Sequence, residues 1–410
     1  MYRWIIFVII AVIVEVYTFQ ALKTVIKTRW FLIAYQIISL VLIGVVIYQM
    51  MNMDRSQGQT RTMQYTIALV LIMLLPKLVI TVVMLLEDIF RLAEGTFRKL
   101  RSDNSNADFL PNRRKFLSSI ALGLAAVPFL SLIYGITKGK YNFKVIRQMV
   151  PFADLPDAFD GFTITHISDI HSGSFDNPEK IKYAIDLINE QKSDIILFTG
   201  DIVNTHAKEM HPWIETFRQI EKPQYGKYSI LGNHDYGEYV DWKSAAEKNR
   251  NFEAIKDLHQ QIDFKLLLNQ NVQVQKGQDR IAIVGVENWG HNFKQAGDLK
   301  KASVGLAKDD FKILMSHDPS HWEMEAKNHP NNYNLTLSGH THGMQFGIEI
   351  PGFLRWSPAQ YAYKQWAGLY ENFGRYIYVN RGFGFHAFPG RVGIWPEITV
   401  LTLKKIKKTS

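Results

Sequence analysis

The sequence from Asn334 to Gly343, Asn-Leu-Thr-Leu-Ser-Gly-His-Thr-His-Gly, determines how the rest of the chain is interpreted. Its first residues are typical of a short apolar strand, which ends near Gly339 and is followed by His340 and His342. Residues two apart on an extended segment point to the same side, so the two imidazoles can share one site. Neutral imidazole suits Zn, Mn or Fe, but a single His-x-His pair is a weak signal. The pair predicts a metal site only if further ligands accompany it.

Length and composition exclude several classes of protein. The chain has 410 residues, enough for one large domain and a further region. It contains no cysteine, which excludes disulfides, thiolate zinc sites and cysteine nucleophiles. The net charge is +9, but Lys and Arg are dispersed, so we expect no nucleic-acid partner. The basic tail over 405–410 is interpreted as solvated, with a contact to anionic headgroups as the alternative.

The first 137 residues have the composition of an all-α membrane region with the lipid bilayer as its partner. A helix needs about 20 apolar residues to cross the hydrocarbon core, and we expect spans near 2–22, 30–51, 65–88 and 116–136. The third run contains Pro76 and Lys77 and is interpreted as one kinked helix. Charges at this depth are costly and usually paired, and Glu15 is a possible partner for Lys77.

Positive charges in the short loops predict the orientation of these spans. The first and third loops carry ten Lys or Arg residues, namely Lys23, Lys27, Arg29, Arg91, Arg98, Lys99, Arg101, Arg113, Arg114 and Lys115. The second loop has only Arg55 and Arg61, and the N-terminus has Arg3. Basic loops face the cytoplasm, which places everything after the fourth span on the exoplasmic side. Arg113-Arg114 also resembles a twin-arginine export signal, and an ordinary cytoplasmic anchor is the equal alternative.

After a linker over 138–151, the residues 152–404 have the pattern of an α/β domain. Short β-rich runs alternate with helical stretches such as Pro178–Gln191. We expect eight strands, at Gly161–Ile167, Asp194–Thr199, Lys227–Leu231, Arg280–Val284, Phe311–Met315, Asn334–Leu337, Tyr376–Val379 and Ile398–Leu403.

Clusters of Asp, His and Asn follow five of these strands. They contain Asp169 and His171; Asp201 and Asn204; Asn233, His234 and Asp235; His317; and His340 and His342. Each cluster alone could be an ordinary turn. In open α/β sheets, however, ligand sites form at the carboxyl ends of strands. Five clusters in such positions are difficult to explain as independent turns.

Together these motifs resemble the calcineurin-like metallophosphoesterases, over about Phe152 to Leu403. The resemblance implies a four-layer α/β/β/α sandwich with two metal ions at the strand ends. The motifs are most similar to those of a membrane-associated bacterial branch, which includes UDP-2,3-diacylglucosamine hydrolases and exported phosphodiesterases. That branch often has Gly-Gly-Gln after the second histidine, where this chain has Gly343-Met344-Gln345. Together with the loop charges, the resemblance to a bacterial branch predicts the bacterial cytoplasmic membrane, with the catalytic domain on the periplasmic side.

The resemblance also implies roles for individual residues. One divalent ion would be held by Asp169, His171, Asp201 and His342. The other would be held by Asp201, Asn233, His317 and His340, with Asp201 bridging. A hydroxide between the ions would attack phosphorus, while His234 protonates the leaving oxygen and Asp235 orients the His234 ring. The ligand set does not choose among Mn, Fe and Zn.

The substrate is less well defined by the sequence. Asn204, Arg381 and Arg391 are candidate substrate contacts, and Asn204 could instead support the ligands. Aromatic residues over 353–366 and 383–388 either fill the core or form an apolar rim that admits a lipid. We expect a phosphodiester or diphosphate hydrolase that acts on a lipid-linked substrate, with UDP-2,3-diacylglucosamine hydrolysis in lipid A synthesis as the specific hypothesis. The alternatives are an exoplasmic phosphodiesterase or phosphatase and a non-catalytic metal-binding sensor.

Overall fold

The computed structural model describes residues 2–100, 111–350 and 352–407, without the side chains of 2–8, 98–99 and 111–112. Predictions that involve Arg3, Arg98, Lys99, Arg101 and Lys408 lie outside this description. The chain forms two compact units. The helical unit comprises Met1–Met53 and Thr62–Tyr134, and the α/β unit comprises Asp54–Arg61 and Gly135–Ser410.

Four long helices form the membrane region, namely α1 (Tyr2–Val25), α2 (Arg29–Met51), α3 (Arg61–Leu100) and α4 (Pro111–Thr137). Among the described residues, three segments are long and apolar enough to cross a membrane, within α2, α3 and α4. The remaining predicted span, near 2–22, coincides with α1, whose first side chains are not described. Helix α3 continues through Pro76, as predicted for the third span.

A charged cluster lies inside the helical unit. Lys77 Nζ is 2.6 Å from Glu15 Oε2, so the possible pairing of these two residues is confirmed. Ser39 Oγ accepts from Lys77 at 2.8 Å and donates to the same Glu15 oxygen at 2.9 Å. Each charged group thus has a partner in a region where an isolated charge is costly.

The arginine pair at the start of α4 also has local partners. Arg114 Nη1 is 3.0 Å from Asp88 Oδ1, and Arg113 Nε is 3.9 Å from Glu87 Oε1. These ion pairs connect α4 with α3. A role as an export signal stays a prediction.

The α/β unit contains fourteen strands within its described residues. They are β1 (Lys144–Phe152), β2 (Thr163–Ile167), β3 (Ile195–Phe198), β4 (Lys227–Ser229), β5 (Lys265–Leu266), β6 (Gln270–Lys276), β7 (Asp279–Gly285), β8 (Lys312–Met315), β9 (Leu335–Ser338), β10 (Ile348–Ile350), β11 (Leu354–Trp356), β12 (Gly368–Asn372), β13 (Arg375–Val379) and β14 (Glu397–Lys405). The α-helices are α5 (Pro178–Asn189), α6 (Ile214–Phe217), α7 (Ala245–Gln261), α8 (Leu299–Ala302) and α9 (Ser320–Met324).

Two six-stranded sheets form the inner layers of this unit. The first has the order β1-β14-β2-β3-β4-β5 and the second β12-β13-β9-β8-β7-β6, while β10 and β11 form a separate hairpin. Side chains of central strands alternate between two apolar cores, as the strand period requires. In β3, for example, Ile195 and Leu197 face the core between the sheets, and Ile196 and Phe198 face the core shared with α5 and α7.

The second sheet is arranged in the same way. In β7, Ile281 and Ile283 contribute to the core between the sheets, whereas Ala282 and Val284 contribute to a core shared with α8 and α9. Helices therefore cover the outer face of each sheet, and the predicted four-layer α/β/β/α sandwich is confirmed.

The two ends of the predicted domain differ from the sequence interpretation. Residues 138–151, expected to be a linker, contain most of β1, which pairs in parallel with β14 at the edge of the first sheet. Its mixed burial resembles that of an exposed strand, so no clean alternation marks it in the sequence. At the other end, β14 extends one residue into the predicted basic tail, because it includes Lys405. Lys404 Nζ, in the same strand, is 2.8 Å from Asp160 Oδ2.

A short segment that precedes α3 in sequence is part of the α/β unit. Gln59 Oε1 accepts a hydrogen bond from the backbone N–H of Ala387 at 2.8 Å. Arg61 Nη2 donates to the carbonyl of Phe175 at 3.3 Å. Asp54–Arg61 thereby contacts loops that follow β2 and β13.

We expect the stability of the fold to fall in acid because of His259. This histidine is fully buried on α7, where its Nδ1 contacts Ser229 Oγ at 2.8 Å, and burial lowers its pKa to about 3. Its neutral form is therefore favoured by folding, so its stabilising effect is complete above pH 6.5 and is lost as pH falls toward 3. At pH 5 the cost is about 2 kcal/mol.

The measurement is thermal unfolding of the full chain in detergent at pH 7 and pH 5. His259→Gln should lose less stability than wild type between these pH values, whereas His291→Gln, at an exposed position, should behave as wild type. An equal loss in all three proteins would contradict the prediction.

Candidate metal centre

The predicted ligands converge where strands of both sheets end. Asp169 and His171 follow β2, Asp201 follows β3 and Asn233 follows β4 in the first sheet; His317 follows β8, and His340 and His342 follow β9 in the second. Six of these seven residues are almost completely buried, and His340 is partly buried. The carboxyl ends of the strands therefore bring all seven predicted ligands together.

The backbone at this site is strained. Five predicted ligands have the left-handed φ that residues other than glycine rarely adopt, namely Asp169 (55°), His171 (48°), Asp201 (61°), His340 (70°) and His342 (49°). Such strain persists only when the surrounding structure enforces it, and it is concentrated at functional sites.

Two glycines of the motifs are required by close approaches to ligand carboxylates. A β-carbon at Gly232 would collide with the carboxylate of Asp201. One at Gly339 would collide with Ser168 Oγ and with the carboxylate of Asp169. The glycines before Asn233 and His340 thus leave room for the carboxylates of Asp201 and Asp169.

The first ligand group contains Asp169, His171, Asp201 and His342. His342 Nε2 lies 3.2 Å from Asp169 Oδ1, and His171 Nε2 lies 3.5 Å from Asp201 Oδ2. Both Nε2 atoms are buried and make no hydrogen bond. Because buried polar atoms are normally satisfied, two such nitrogens beside two carboxylates fit a cation at this position.

The second ligand group contains Asp201, Asn233, His317 and His340. His317 Nε2 is 3.1 Å from both Asp201 Oδ2 and Asn233 Oδ1. His340 Nδ1 is 2.8 Å from Asn233 Oδ1. Asp201 Oδ2 is thus within 3.5 Å of a histidine from each group, as a bridging carboxylate requires. The residues of both groups fit divalent ions with oxygen and nitrogen ligands.

Hydrogen bonds to the distal ring nitrogens orient three of the histidines. His171 Nδ1 is 3.0 Å from Asn204 Oδ1, and His317 Nδ1 is 2.7 Å from the carbonyl of Thr199. His340 Nε2 is 2.7 Å from Tyr363 Oη. Contacts of this kind fix the ring orientation and tautomer of metal-binding histidines.

The electrostatics differ between histidines of the two groups. Burial lowers the pKa of His171 well below its ordinary value, so this ring is neutral, which is the form that binds metals. Burial would also lower the pKa of His317, but Asp201 and Asp169 together outweigh it and raise this pKa to about 10. His317 is therefore protonated in the metal-free protein and must release a proton before it binds an ion.

His234 lies beside the first ligand group, with its ring centroid 4.8 Å from that of His171. The expectation that Asp235 orients the His234 ring is wrong. Asp235 accepts hydrogen bonds from the backbone N–H groups of Asp201, Ile202 and Gly232 at 2.8–3.0 Å. His234 Nδ1 instead lies 2.8 Å from the carbonyl oxygen of Asn204. Asp235 fixes the loop that carries Asp201, and Asn204 positions the His234 ring.

The three candidate substrate contacts are all engaged within the protein. Asn204 is fully buried and contacts His171 and His234. Arg381 pairs with Glu397 at 2.6 Å and with Glu349 at 2.5 Å. Arg391 is fully buried, with Nη2 3.0 Å from His342 Nδ1 and Nε donating to the carbonyl of Gly384. This geometry does not support a substrate contact for any of the three, and it gives Asn204 the supporting role.

Sequence reasoning missed several residues of the site. Tyr363 contacts His340, and Tyr239 Oη accepts from Asn233 Nδ2 at 2.6 Å. Glu209 accepts backbone hydrogen bonds around Asn204, and burial raises its pKa to about 7. These side chains come from loops without a recognisable motif. His386, in the loop after β13, also lies at the site.

Comparison with known proteins agrees with this geometry. A family model for the calcineurin-like phosphoesterases matches residues 162–344, and a model for a probable calcineurin-like phosphoesterase transmembrane domain matches residues 2–140. The chain is 32% identical to the uncharacterized metallophosphoesterase YkuE of Bacillus subtilis (strain 168), over 72% of this chain and 98% of that protein. The chain belongs to the calcineurin-like metallophosphoesterases.

Other proteins are more distantly similar to this metallophosphoesterase. A Danio rerio transmembrane protein with metallophosphoesterase domain is 27% identical over 67% of this chain, which spans 60% of that protein. A solved 5'-nucleotidase precursor from Thermus thermophilus is 13% identical, with a TM-score of 0.33 over 60% of this chain and 54% of that one. The family assignment confirms the predicted resemblance, and the metallophosphoesterase is a membrane protein with an N-terminal transmembrane region.

We expect Tyr363→Phe to weaken metal binding at the second ligand group. When His340 donates from Nε2 to the phenol oxygen of Tyr363, its Nδ1 is available to an ion, and the variant loses this acceptor. Loss of such a partner typically lowers metal affinity by about 10–100-fold. Tyr361→Phe is the matched control, since Tyr361 is 78% exposed two residues earlier.

The affinity is measured by competition with a chelator, followed by elemental analysis of the purified full chain. If Tyr363→Phe and Tyr361→Phe retained metal equally, the positioning role of Tyr363 would be disproved.

Proposed function

We propose that this metallophosphoesterase hydrolyses phosphodiester or diphosphate bonds at a binuclear metal centre. The observation that carries the proposal is the convergence of two buried ligand groups on one carboxylate, with His234 beside them. A binding protein would need the ligands but would not need His234. The arrangement therefore favours an enzyme over a metal-binding sensor.

Each part of the site has a role in this proposal. Bound divalent ions would neutralise the charge of the phosphoryl group and lower the pKa of an attacking water. Asp201 holds the two ligand groups together, and Asn233 contributes an oxygen without adding negative charge, so the site remains attractive to an anion. The metal identity, including the predicted manganese, stays open among Mn, Fe and Zn.

His234 would protonate the leaving oxygen. The Asn204 carbonyl lies 2.8 Å from Nδ1 and fixes the ring, which leaves Nε2 for the substrate. A positioned histidine commonly contributes about 10²–10⁴-fold to a rate through proton transfer. The ring of Tyr239, with its centroid 4.5 Å from that of His234, limits the movement of the imidazole.

We expect His234→Asn to lower kcat more strongly when the leaving group is more basic. The full chain is supplied with Mn²⁺ and tested on diphenyl phosphate and bis(nitrophenyl) phosphate. Phenolate needs a proton more than nitrophenolate does, so kcat should fall by about 100-fold or more for the phenyl ester and less for the nitrophenyl ester.

The control is His211→Asn, at an exposed position that does not line the groove described below. A loss that is equal for both esters would remove the acid role from His234. If the wild-type protein bound metal at both ligand groups but hydrolysed neither ester, the sensor alternative would be favoured.

The proposed substrate is amphiphilic, because exposed apolar side chains follow the ligand motif in sequence and an apolar groove adjoins His340. Met344 follows the ligand His342 and is half exposed, and Phe353 at the tip of the β10–β11 hairpin is 83% exposed. A groove of about 330 Å³ includes Phe293, Met324 and Tyr363 in its walls, and Tyr363 contacts His340. Exposed apolar patches of this kind mark lipid or ligand contacts.

The aromatic residues predicted to fill either the core or a rim divide between the two. Phe353 and Tyr361 are exposed, whereas Trp366, Phe383, Phe385 and Phe388 are buried. Of the aromatic residues, those of the hairpin and Tyr361 therefore contribute to the apolar rim in this proposal. The hypothesis of UDP-2,3-diacylglucosamine hydrolysis in lipid A synthesis rests on the resemblance of the motifs and stays a prediction.

We expect a reporter that is active only outside the cytoplasm to be active when fused to the C-terminus. The Lys and Arg of the first and third loops support this orientation. The second loop contributes Asp54–Arg61 to the α/β unit. This agrees with the second loop and the α/β unit lying on the same side of the membrane. A fusion after residue 105, in the third loop, is the matched control and should be inactive.

A silent but well-expressed C-terminal fusion would place the catalytic unit in the cytoplasm. UDP-2,3-diacylglucosamine would then be the first substrate to test. An active fusion would direct the search to envelope lipids and other exoplasmic phosphoesters.

A further inference from the structure

The loop after β13 brings a further imidazole to the first ligand group. The ring centroid of His386 lies 4.7 Å from that of His171, 4.9 Å from that of His342 and 5.2 Å from that of His234. One ring nitrogen from each of His171, His342 and His386 can be chosen so that all three lie within 4.8 Å of one another. His386 therefore faces the same space as two predicted ligands.

The ring nitrogens of these three histidines share an unusual property. His386 Nδ1 is buried and makes no hydrogen bond. The same is true of His171 Nε2 and His342 Nε2. Buried polar atoms without a partner are rare in folded proteins and require an explanation. A metal–imidazole bond is about 2.0–2.1 Å long, so three nitrogens this close to one another can be shared by one ion.

The backbone around His386 is held on two sides. Its N–H donates to Gln345 Oε1 at 2.7 Å, and the N–H of Ala387 donates to Gln59 Oε1 at 2.8 Å. Gln345 Nε2 also donates to the carbonyls of Phe388 and Gly390. Ala387 adopts a left-handed φ of 57°. The loop is thus fixed in a strained conformation that directs His386 toward the other two imidazoles, as expected for a functional position.

We propose that His386 is a third imidazole ligand of the ion held by Asp169, His171, Asp201 and His342. The inference rests on the proposed binuclear centre and adds to it. The first ion would have three nitrogen and two oxygen ligands, whereas the second would have two of each from Asp201, Asn233, His317 and His340. Nitrogen-rich sites favour Fe, Co or Zn over Mg or Mn, so the two positions would differ in metal preference.

The test uses Co²⁺, whose visible absorption reports its ligands independently of activity. His386→Ala and His386→Gln in the full chain are compared with wild type and with His291→Ala, at an exposed position. We expect both His386 variants to bind one of the two Co²⁺ ions at least about tenfold more weakly, with a changed absorption band for that ion. His291→Ala should bind both ions as wild type does.

Thermal unfolding of the metal-free proteins shows whether each variant is folded. If His386→Ala unfolds at a lower temperature than wild type, the His386→Gln variant is used. Unchanged Co²⁺ affinity and spectra in a folded His386 variant would overturn the inference. If KM for the diester rose in such a variant, His386 would contact the substrate instead.

The inference and the proposed function can fail separately. If wild type bound two ions but hydrolysed no ester, while a His386 variant lost one ion, the ligand assignment would stand and the enzymatic function would not. If the His386 variants kept both ions and their activity, only the ligand assignment would fail.

Discussion

The buried carboxylate of Asp201 is the group on which the arrangement of the site depends. One oxygen accepts the backbone N–H of His234 at 2.8 Å, and the other faces His171 and His317. Burying a carboxylate is costly unless hydrogen bonds and opposite charges compensate for it. Burial acts to raise its pKa, but His317 and His234 lower it below the ordinary value. The loops after three strands are therefore coupled to one charge.

This requirement explains the local sequence around Asp201. Its left-handed backbone is held because Asp235 accepts the N–H groups of Asp201 and Ile202, and the absence of a side chain at Gly232 leaves room for the carboxylate. The strain has a cost of about 1–3 kcal/mol at each such residue, which the surrounding contacts must offset. The motif Gly-Asn-His-Asp thus combines a possible ligand, a possible acid and a backbone support in four consecutive residues.

The sequence was sufficient to predict the eight central strands and the convergence of the ligands, because buried strands are apolar and their polar ends share one edge of a sheet. It did not predict the edge strands β1, β5, β6 and β12 or the hairpin of β10 and β11. Mixed burial hides the period of β1, and β5 has only two residues. Arg381 illustrates a second limit. Its partners Glu349 and Glu397 are distant in sequence, so only the fold could identify an internal ion pair where a substrate contact was expected.

The position of Gln59 bears on whether the membrane region only anchors the enzyme. This residue belongs to the connection between α2 and α3, yet its side chain supports the backbone next to His386. Gln345 makes the equivalent contact one residue earlier and comes from the His-x-His loop itself. One support is therefore local to the metal centre, while the other comes from the connection between α2 and α3. Removing residues 1–137 would delete none of the predicted ligands. It would delete Gln59 and with it one of the two contacts that fix the His386 loop. The connection between the spans is consequently a structural part of the catalytic unit.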